Sequence, residues 1–297
     1  MISILEYLDN IFRDFSEYVL NENNLCKLKT VNYNLKELPD YNDVNIQQFY
    51  LLRYGFVYAF EYKRMFQRLL RNCGFEKQIE VLSTGCGAGI DYWSIASTLA
   101  DMEMNDYIIK YYGVDNVDWN YKMDARETDY VRYLPYDAVR LFNGIKKFKF
   151  DIYMFPKSIS EFSKEDFNHI CDSIETKEIE KNRIHLLVSL RSTNYLLSLD
   201  CERTKKLANS LLKQGFKTRD DPNQFINFIN QKKGIAFYDC SFTYPSDALE
   251  FISTLNEKCC RYLENGQNCV ENCKSYLTRK PSLTPSIIRY QVLTFER

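Results

Sequence analysis

"IEVLSTGCGAGIDYW", residues 79–93, decides how the rest of the chain is read. A short, largely apolar run suited to a strand breaks at Gly85, Gly87 and Gly89, and the helical pattern "IDYWSIASTLADM" follows at once. A strand that ends in glycines and feeds a helix presents bare backbone amides at the carboxyl edge of a sheet, where ligands of open α/β folds bind. Glycine permits the tight turn and lets a ligand approach the main chain without a Cβ in the way. The two common phosphate-binding templates fit poorly. A dinucleotide loop wants a third glycine where Ile90 stands, and a P-loop wants a lysine after Gly89.

Outward from this loop the pattern is strand and helix in alternation, which predicts a mostly parallel sheet. "YIIKYYGVD" reads as a second strand ending at Asp115, "YVRYLPYD" as a third closing near Asp137, "FKFDIYMF" as a fourth and "RIHLLVSL" as a fifth. A helix over "CERTKKLANSLLKQGF" stops at Gly215. "GIAFYDCSF" and the terminal "SIIRYQVLTFER" supply the last two strands, with a helix "DALEFISTLNEK" between them. Residues 1–74 read differently, as helices. Ile4, Leu5, Leu8, Ile11, Phe12, Phe15 and Val19 recur on one face of the first, and a longer one runs from "NIQQFY" to Asn72. The expected division is a helical cap or lid over 1–74 and an α/β domain over 75–297, with a cysteine-bearing insertion at 259–283.

The composition is compatible with a chain that buries a sizeable core. It has 297 residues, 45% hydrophobic and 27% charged. A formal net charge of −1 gives no overall basic field to draw it to nucleic acid or a membrane surface. The opening "MISILEYLDNIFRDF" lacks a basic n-region, and no apolar run approaches the ~20 residues that span a bilayer. The ten cysteines therefore read as reduced thiols in a cytoplasmic setting.

The Gly-x-Gly-x-Gly loop resembles motif I of the class I S-adenosylmethionine-dependent methyltransferases, and the following strand ends extend the resemblance over residues 79 to about 190. It implies a seven-stranded, mostly parallel α/β sheet with helices on both faces, S-adenosylmethionine as cofactor, and methyl transfer as the reaction. It further implies that Gly85, Cys86, Gly87 and Gly89 pass under the cofactor and that Asp115 holds its ribose. Asn116, Val117 or Trp119 would pack on adenine, while Asp137 and Ala138 would meet the adenine edge. Phe155 would lie near the methyl group. The chain departs from the family at Ser83, where an acidic residue is common. Asp91 could replace it by meeting the methionine amino group, or it could cap its helix. Trp119 reads equally as a core residue, and Cys86 as a small loop residue.

Beyond the fourth strand, "FPKSISEF" brings Lys157, Ser158 and Glu161 to the expected reaction centre. Lys157 could bind an anionic acceptor and Glu161 could take a proton. Alternatively, Ser158 and Glu161 form a Ser-x-x-Glu capping box for the next helix. Arg53, on the aromatic-rich helix of the cap, either faces the cofactor carboxylate or merely packs. The "FPKS" sequence matches neither the Asn/Asp-Pro-Pro end of base amino-methylating enzymes nor the Pro-Cys of cytosine C5 chemistry. A small-molecule or protein acceptor is favoured over RNA, whose candidate contacts would be the basic runs "KKFK" at 146–149 and "LTRKP" at 277–281. A cofactor-binding scaffold without transfer activity is the other reading. Cys259, Cys260, Cys269 and Cys273 could bind a structural zinc, with Cys240 a substitute, although adjacent cysteines seldom share one ion. Free thiols are the competing reading. Oligomeric state is not legible.

Overall fold

Strands form where β-branched and aromatic residues alternate, and the sheet they build positions the glycine loop. The computed structural model describes residues 3–22, 24–31, 39–191, 194–229, 244, 246–259, 276–281 and 287–297. By its own contacts the chain divides into two compact units. One comprises 1–58, 119–121 and 236–284; the other comprises 59–118, 122–235 and 285–297. In this division the first N-terminal segment ends at residue 58.

In the first unit, α1 (Ile4–Asn21) starts at Ser3, whose Oγ accepts from the Glu6 amide at 3.1 Å, and buries Ile4, Leu8, Ile11, Phe15 and Val19. Asp43 caps α2 (Val44–Tyr50) in the same way, and the helix continues into a π-helical turn at Leu51–Gly55. Phe15 stacks on Phe49 at 5.5 Å and meets Phe251 of α8 (Ser246–Ser253) edge-on.

The second unit is the α/β domain. Its sheet comprises β1 (Gln78–Thr84), β2 (Ile108–Asp115), β3 (Tyr130–Pro135), β5 (Ile152–Pro156), β7 (Arg183–Ser189), β8 (Lys217–Thr218), β9 (Ile226–Ile229) and β10 (Ile287–Glu296). The order is β3-β2-β1-β5-β7-β10-β8, and β9 pairs with β10. β3, β2, β1, β5 and β7 are parallel, while β10 runs antiparallel to β7. This is the class I methyltransferase fold, an α/β sheet with helices on both faces. The strand order reverses between β1 and β5, which opens a crevice at their carboxyl ends.

One face of the sheet packs α5 (Ala138–Gly144), α6 (Lys164–Thr176) and α7 (Asn194–Lys213) through Phe142, Phe167, Ile170, Leu207 and Leu211 onto Leu82, Val114, Tyr153 and Leu186. Residues one step along those strands face the other way. There Tyr111 of β2 meets α4 (Ile90–Asp101), and α4 is tied to α3 (Phe56–Asn72) by Ser94 Oγ donating to the Ala59 carbonyl at 3.0 Å.

Three expectations change in detail. "FKFDIYMF" is two strands, not one. Lys147–Phe148 (β4) pairs with Glu178–Ile179 (β6) in a separate ribbon, and β5 begins after Asp151, whose carboxylate accepts from the Glu80 amide. α7 begins at Asn194 instead of 201, and β9 was not anticipated. The expected strand at 234–242 lies outside the described residues.

Candidate functional site

The chain leaves β1 through Gly85, Gly87 and Gly89, at φ +74°, +55° and +80°. These left-handed angles disfavour any residue with a Cβ. At two of the three positions neighbouring side chains impose a second demand. A Cβ on Gly85 would lie 2.3 Å from Ser158 Cβ, and one on Gly89 would lie 2.2 Å from the Tyr133 hydroxyl. The loop is thus closed from one side by Ser158 and from another by Tyr133. The Gly85 and Cys86 amides both donate to the Val114 carbonyl at the end of β2.

Asp115 organises this edge. Its Oδ2 accepts from the Gly87 amide at 2.9 Å and its Oδ1 from the Val117 amide at 3.0 Å, so one carboxylate ties the β1 loop to the β2 loop. Each carboxylate oxygen has a second lone pair, and Asp115 is only half-buried. The arrangement therefore places at the switch point the kind of group a ribose diol requires. Asn116, next in sequence, is exposed.

Other expected cofactor contacts are engaged elsewhere. Asp91 is buried, with 1% of its surface exposed, and accepts the Tyr111 hydroxyl on both oxygens at 2.9 and 3.0 Å. Burial raises its pKa to about 6, against the opposing influence of the neighbouring Ser83 and Tyr111 hydroxyls. Gly89 occupies the N-cap position of α4 and offers no side chain, while Asp91 lies in the helix's first turn. Cys86 is buried too, and desolvation, with Asp115 and Asp91 adding to it, pushes its thiol well up, as befits an inert loop residue. Asp137 is the N-cap of α5, accepting from the Arg140 amide at 2.8 Å, and Ala138 opens that helix half-buried. Phe155, expected near the methyl group, is 1% exposed and belongs to the core under α6 and α7, because β5 is buried on both faces. Trp119 and Arg53 both belong to the first unit. Trp119 packs on Tyr41 and Tyr50, and Arg53 donates to the Tyr276 carbonyl at 3.3 Å with its guanidinium over Phe49 and Tyr54.

Past β5 the chain turns through Lys157, a non-glycine residue at φ +62°. Its ammonium donates to both oxygens of Glu61, at 2.8 and 3.0 Å, and to the Leu190 carbonyl at 2.6 Å. Lys157, expected to meet an anionic acceptor, directs these donors at the protein. Glu61 on α3 is 2% exposed and also accepts the Ser189 hydroxyl. Ser158 donates its hydroxyl to the Thr84 carbonyl and so locks β5 to β1. The capping box lies five residues later. Ser163 Oγ accepts from the Asp166 amide at 3.0 Å at the start of α6. Glu161 is exposed and paired with Arg191, whose Nε donates to the Lys157 carbonyl at 3.0 Å and whose amide donates to Asp200 at 2.6 Å. Glu61, Ser189, Arg191 and Asp200 thus complete a polar frame at the ends of β5 and β7. Nothing in the local sequence marks these four as partners.

Among the described residues no group of three or more His, Cys, Asp or Glu side chains could hold a metal ion. Cys259 is buried, while Cys240, Cys260, Cys269 and Cys273 lie outside the described residues. No described helix is long and apolar enough to cross a membrane.

No protein-family model matches the chain, and no curated protein matches it. Among solved structures it is similar to a SAM dependent methyltransferase from Archaeoglobus fulgidus, at 13% identity over 80% of this chain and 94% of that one, with a TM-score of 0.40. It is similar to the YcgJ protein from Bacillus subtilis at 14% identity over 79% and 98%, with a TM-score of 0.39. A third is MNMC2 from Aquifex aeolicus, at 16% identity over 59% of this chain, with a TM-score of 0.34; the chain spans only 57% of that protein's length. Identities and scores this low carry no information on activity.

Proposed function

We propose that this chain is an S-adenosylmethionine-dependent methyltransferase acting on a small-molecule or protein acceptor. The observation that supports it best is the Asp115 carboxylate, placed at the end of β2 and bridging the Gly87 and Val117 amides at 2.9 and 3.0 Å. A carboxylate fixed by two amides is pre-organised, and a carboxylate is the side chain suited to accept from two vicinal hydroxyls. When bound, the cofactor supplies an electrophilic methyl group on a sulfonium. Asp115 would grip the ribose, and the main chain of Gly85, Cys86 and Gly87 would lie along the methionine side.

Displacement of a methyl group asks the protein chiefly to hold the acceptor in line. The Glu61–Lys157–Ser189 cluster does this indirectly, by fixing the Lys157 turn in its left-handed conformation. Glu61 and Lys157 are positioning residues. Glu161, exposed and held by Arg191, is the carboxylate we assign to receive an acceptor proton. Transfer of labelled methyl from S-adenosylmethionine into protein and small-molecule fractions of a cell extract tests the reading, and abolition of that label by Asp115→Ala is the expected control.

A second reading is favoured by one observation: Lys157 and Ser158 are both occupied by internal bonds. A cofactor-binding scaffold without transfer activity would be built this way. It would bind the cofactor and leave every fraction unlabelled.

A further inference from the structure

A groove of about 380 Å³ runs along α3 in the second unit, lined by Phe60, Arg64, Gln67, Arg68, Arg71, Asn72, Ile288 and Tyr290. That volume is of the size of small-molecule sites, roughly 300–1,000 Å³. Its floor is apolar. Phe60 and Tyr290 are buried, and Ile288 and Tyr290 point the same way because they alternate along β10.

One side of the groove is cationic. Arg64, Arg68 and Arg71 are spaced i, i+4 and i+7, which puts them on one helix face with about 10 Å between the first and last Cα along the axis. No acidic residue is among the lining residues. Arg64 donates to Gln67 at 3.4 Å and lies over Phe60. Arg68 and Arg71 are exposed, and no ion pair involves either among the described residues. The field of Arg68 and Arg64 reaches the Tyr290 hydroxyl. Burial raises its pKa, and the two arginines oppose that rise.

Three guanidiniums along one wall form a series of planar, bidentate donor sets, the arrangement best matched to phosphate oxygens. Gln67, Asn72 and Tyr290 add neutral donors. The two aromatic rings are too buried to act as stacking platforms, so recognition would be of the phosphates and not of a base. We propose that this groove is an anion site for a ligand bearing a chain of phosphate groups, an organic polyphosphate or a phosphodiester, bound chiefly by Arg68 and Arg71. The proposal does not depend on methyl transfer.

The test measures binding of tripolyphosphate, of a short single-stranded uridine RNA and of citrate to the full chain at two salt concentrations. Tripolyphosphate or the RNA should bind in a salt-sensitive way and more tightly than citrate. Arg68→Glu with Arg71→Glu should weaken that binding by about tenfold or more. Lys205→Glu with Lys206→Glu makes the same charge change at exposed residues of the same unit and should alter it less than about twofold. Tighter binding of the free polyphosphate or of the RNA identifies the source of the phosphates. Failure of both to bind, equal binding of citrate, or equal losses in the two variant pairs would overturn the proposal. S-adenosylhomocysteine affinity, measured on the same arginine variant, should match the parent and separates this result from the fate of the donor site.

Discussion

Tyr111 donates its hydroxyl to both carboxylate oxygens of Asp91, at 2.9 and 3.0 Å, where solvent does not reach. Burial nevertheless wins, and the carboxyl pKa rises from 3.8 to about 6. The folded protein therefore binds a proton that the unfolded chain has released between about pH 4 and 6, so this group's contribution to stability falls as pH rises through that window. The penalty at neutral pH is on the order of 3 kcal/mol at most. Asp91→Asn should stabilise the protein at pH 7 by about 1–3 kcal/mol, because the amide keeps an acceptor for Tyr111 without the charge. His185 slopes the other way. Burial, with Arg183 adding to it, lowers its pKa to about 4, so its contribution is lost as pH falls from 6.5 toward that value. The diagnostic quantity is therefore the difference between Asp91→Asn and parent in denaturant unfolding from pH 4 to 7. It should grow with pH; a flat difference would show that Asp91 is not desolvated as described.

The Glu61–Lys157 pair is nearly closed to water, with side-chain exposures of 3% and 17%. Lys157→Met would leave Glu61 buried beside Ser189 with no counter-charge. A cost of about 3–5 kcal/mol is expected, and Glu61→Gln combined with Lys157→Met should recover much of it. Chemical denaturation of the two single variants and the double variant measures the coupling. An additive cycle would contradict the pairing.

Gly89→Ala should destabilise by about 1–3 kcal/mol, since it places a Cβ at φ +80° and against Tyr133. Tyr133→Ala in the same chain removes the collision but not the backbone strain, so it should return part of the loss relative to Tyr133→Ala alone. Thermal melts of the set decide between the two causes.

Asp137 offers a smaller test of cap against cofactor contact. Asp137→Ala should cost about 1 kcal/mol through the lost bond from the Arg140 amide, while Asp137→Ser should retain most of it. If Asp137→Ser keeps stability but loses S-adenosylhomocysteine affinity, the residue also meets the donor.

The glycine loop, the strand end at Asp115 and the parallel core were legible because each has a local signature, either a period of two or a residue with unusual backbone freedom. The site's inner bonds were not. "SISEFSKED" contains two Ser-x-x-acid frames, at 158–161 and 163–166, and only the packing of Ser158 against Gly85 and Thr84 selects the second as the cap. Lys157 and Glu61 are 96 residues apart, and no pattern in either segment names the other. Phe155 and Trp119 illustrate a related limit. An aromatic residue at a strand end looks the same in sequence whether it packs a core or meets a ligand, and here both are buried in protein.

Calorimetric titration of S-adenosylhomocysteine into the parent and into Asp115→Ala, with folding of the variant checked by thermal melting, tests the central claim most directly. The account predicts saturable binding to the parent. It predicts a loss of about a hundredfold or more in the variant, as two hydrogen bonds to a charged acceptor are worth about 1.5–3 kcal/mol each. A parent that does not bind, or a folded Asp115→Ala that binds as tightly as the parent, would contradict it.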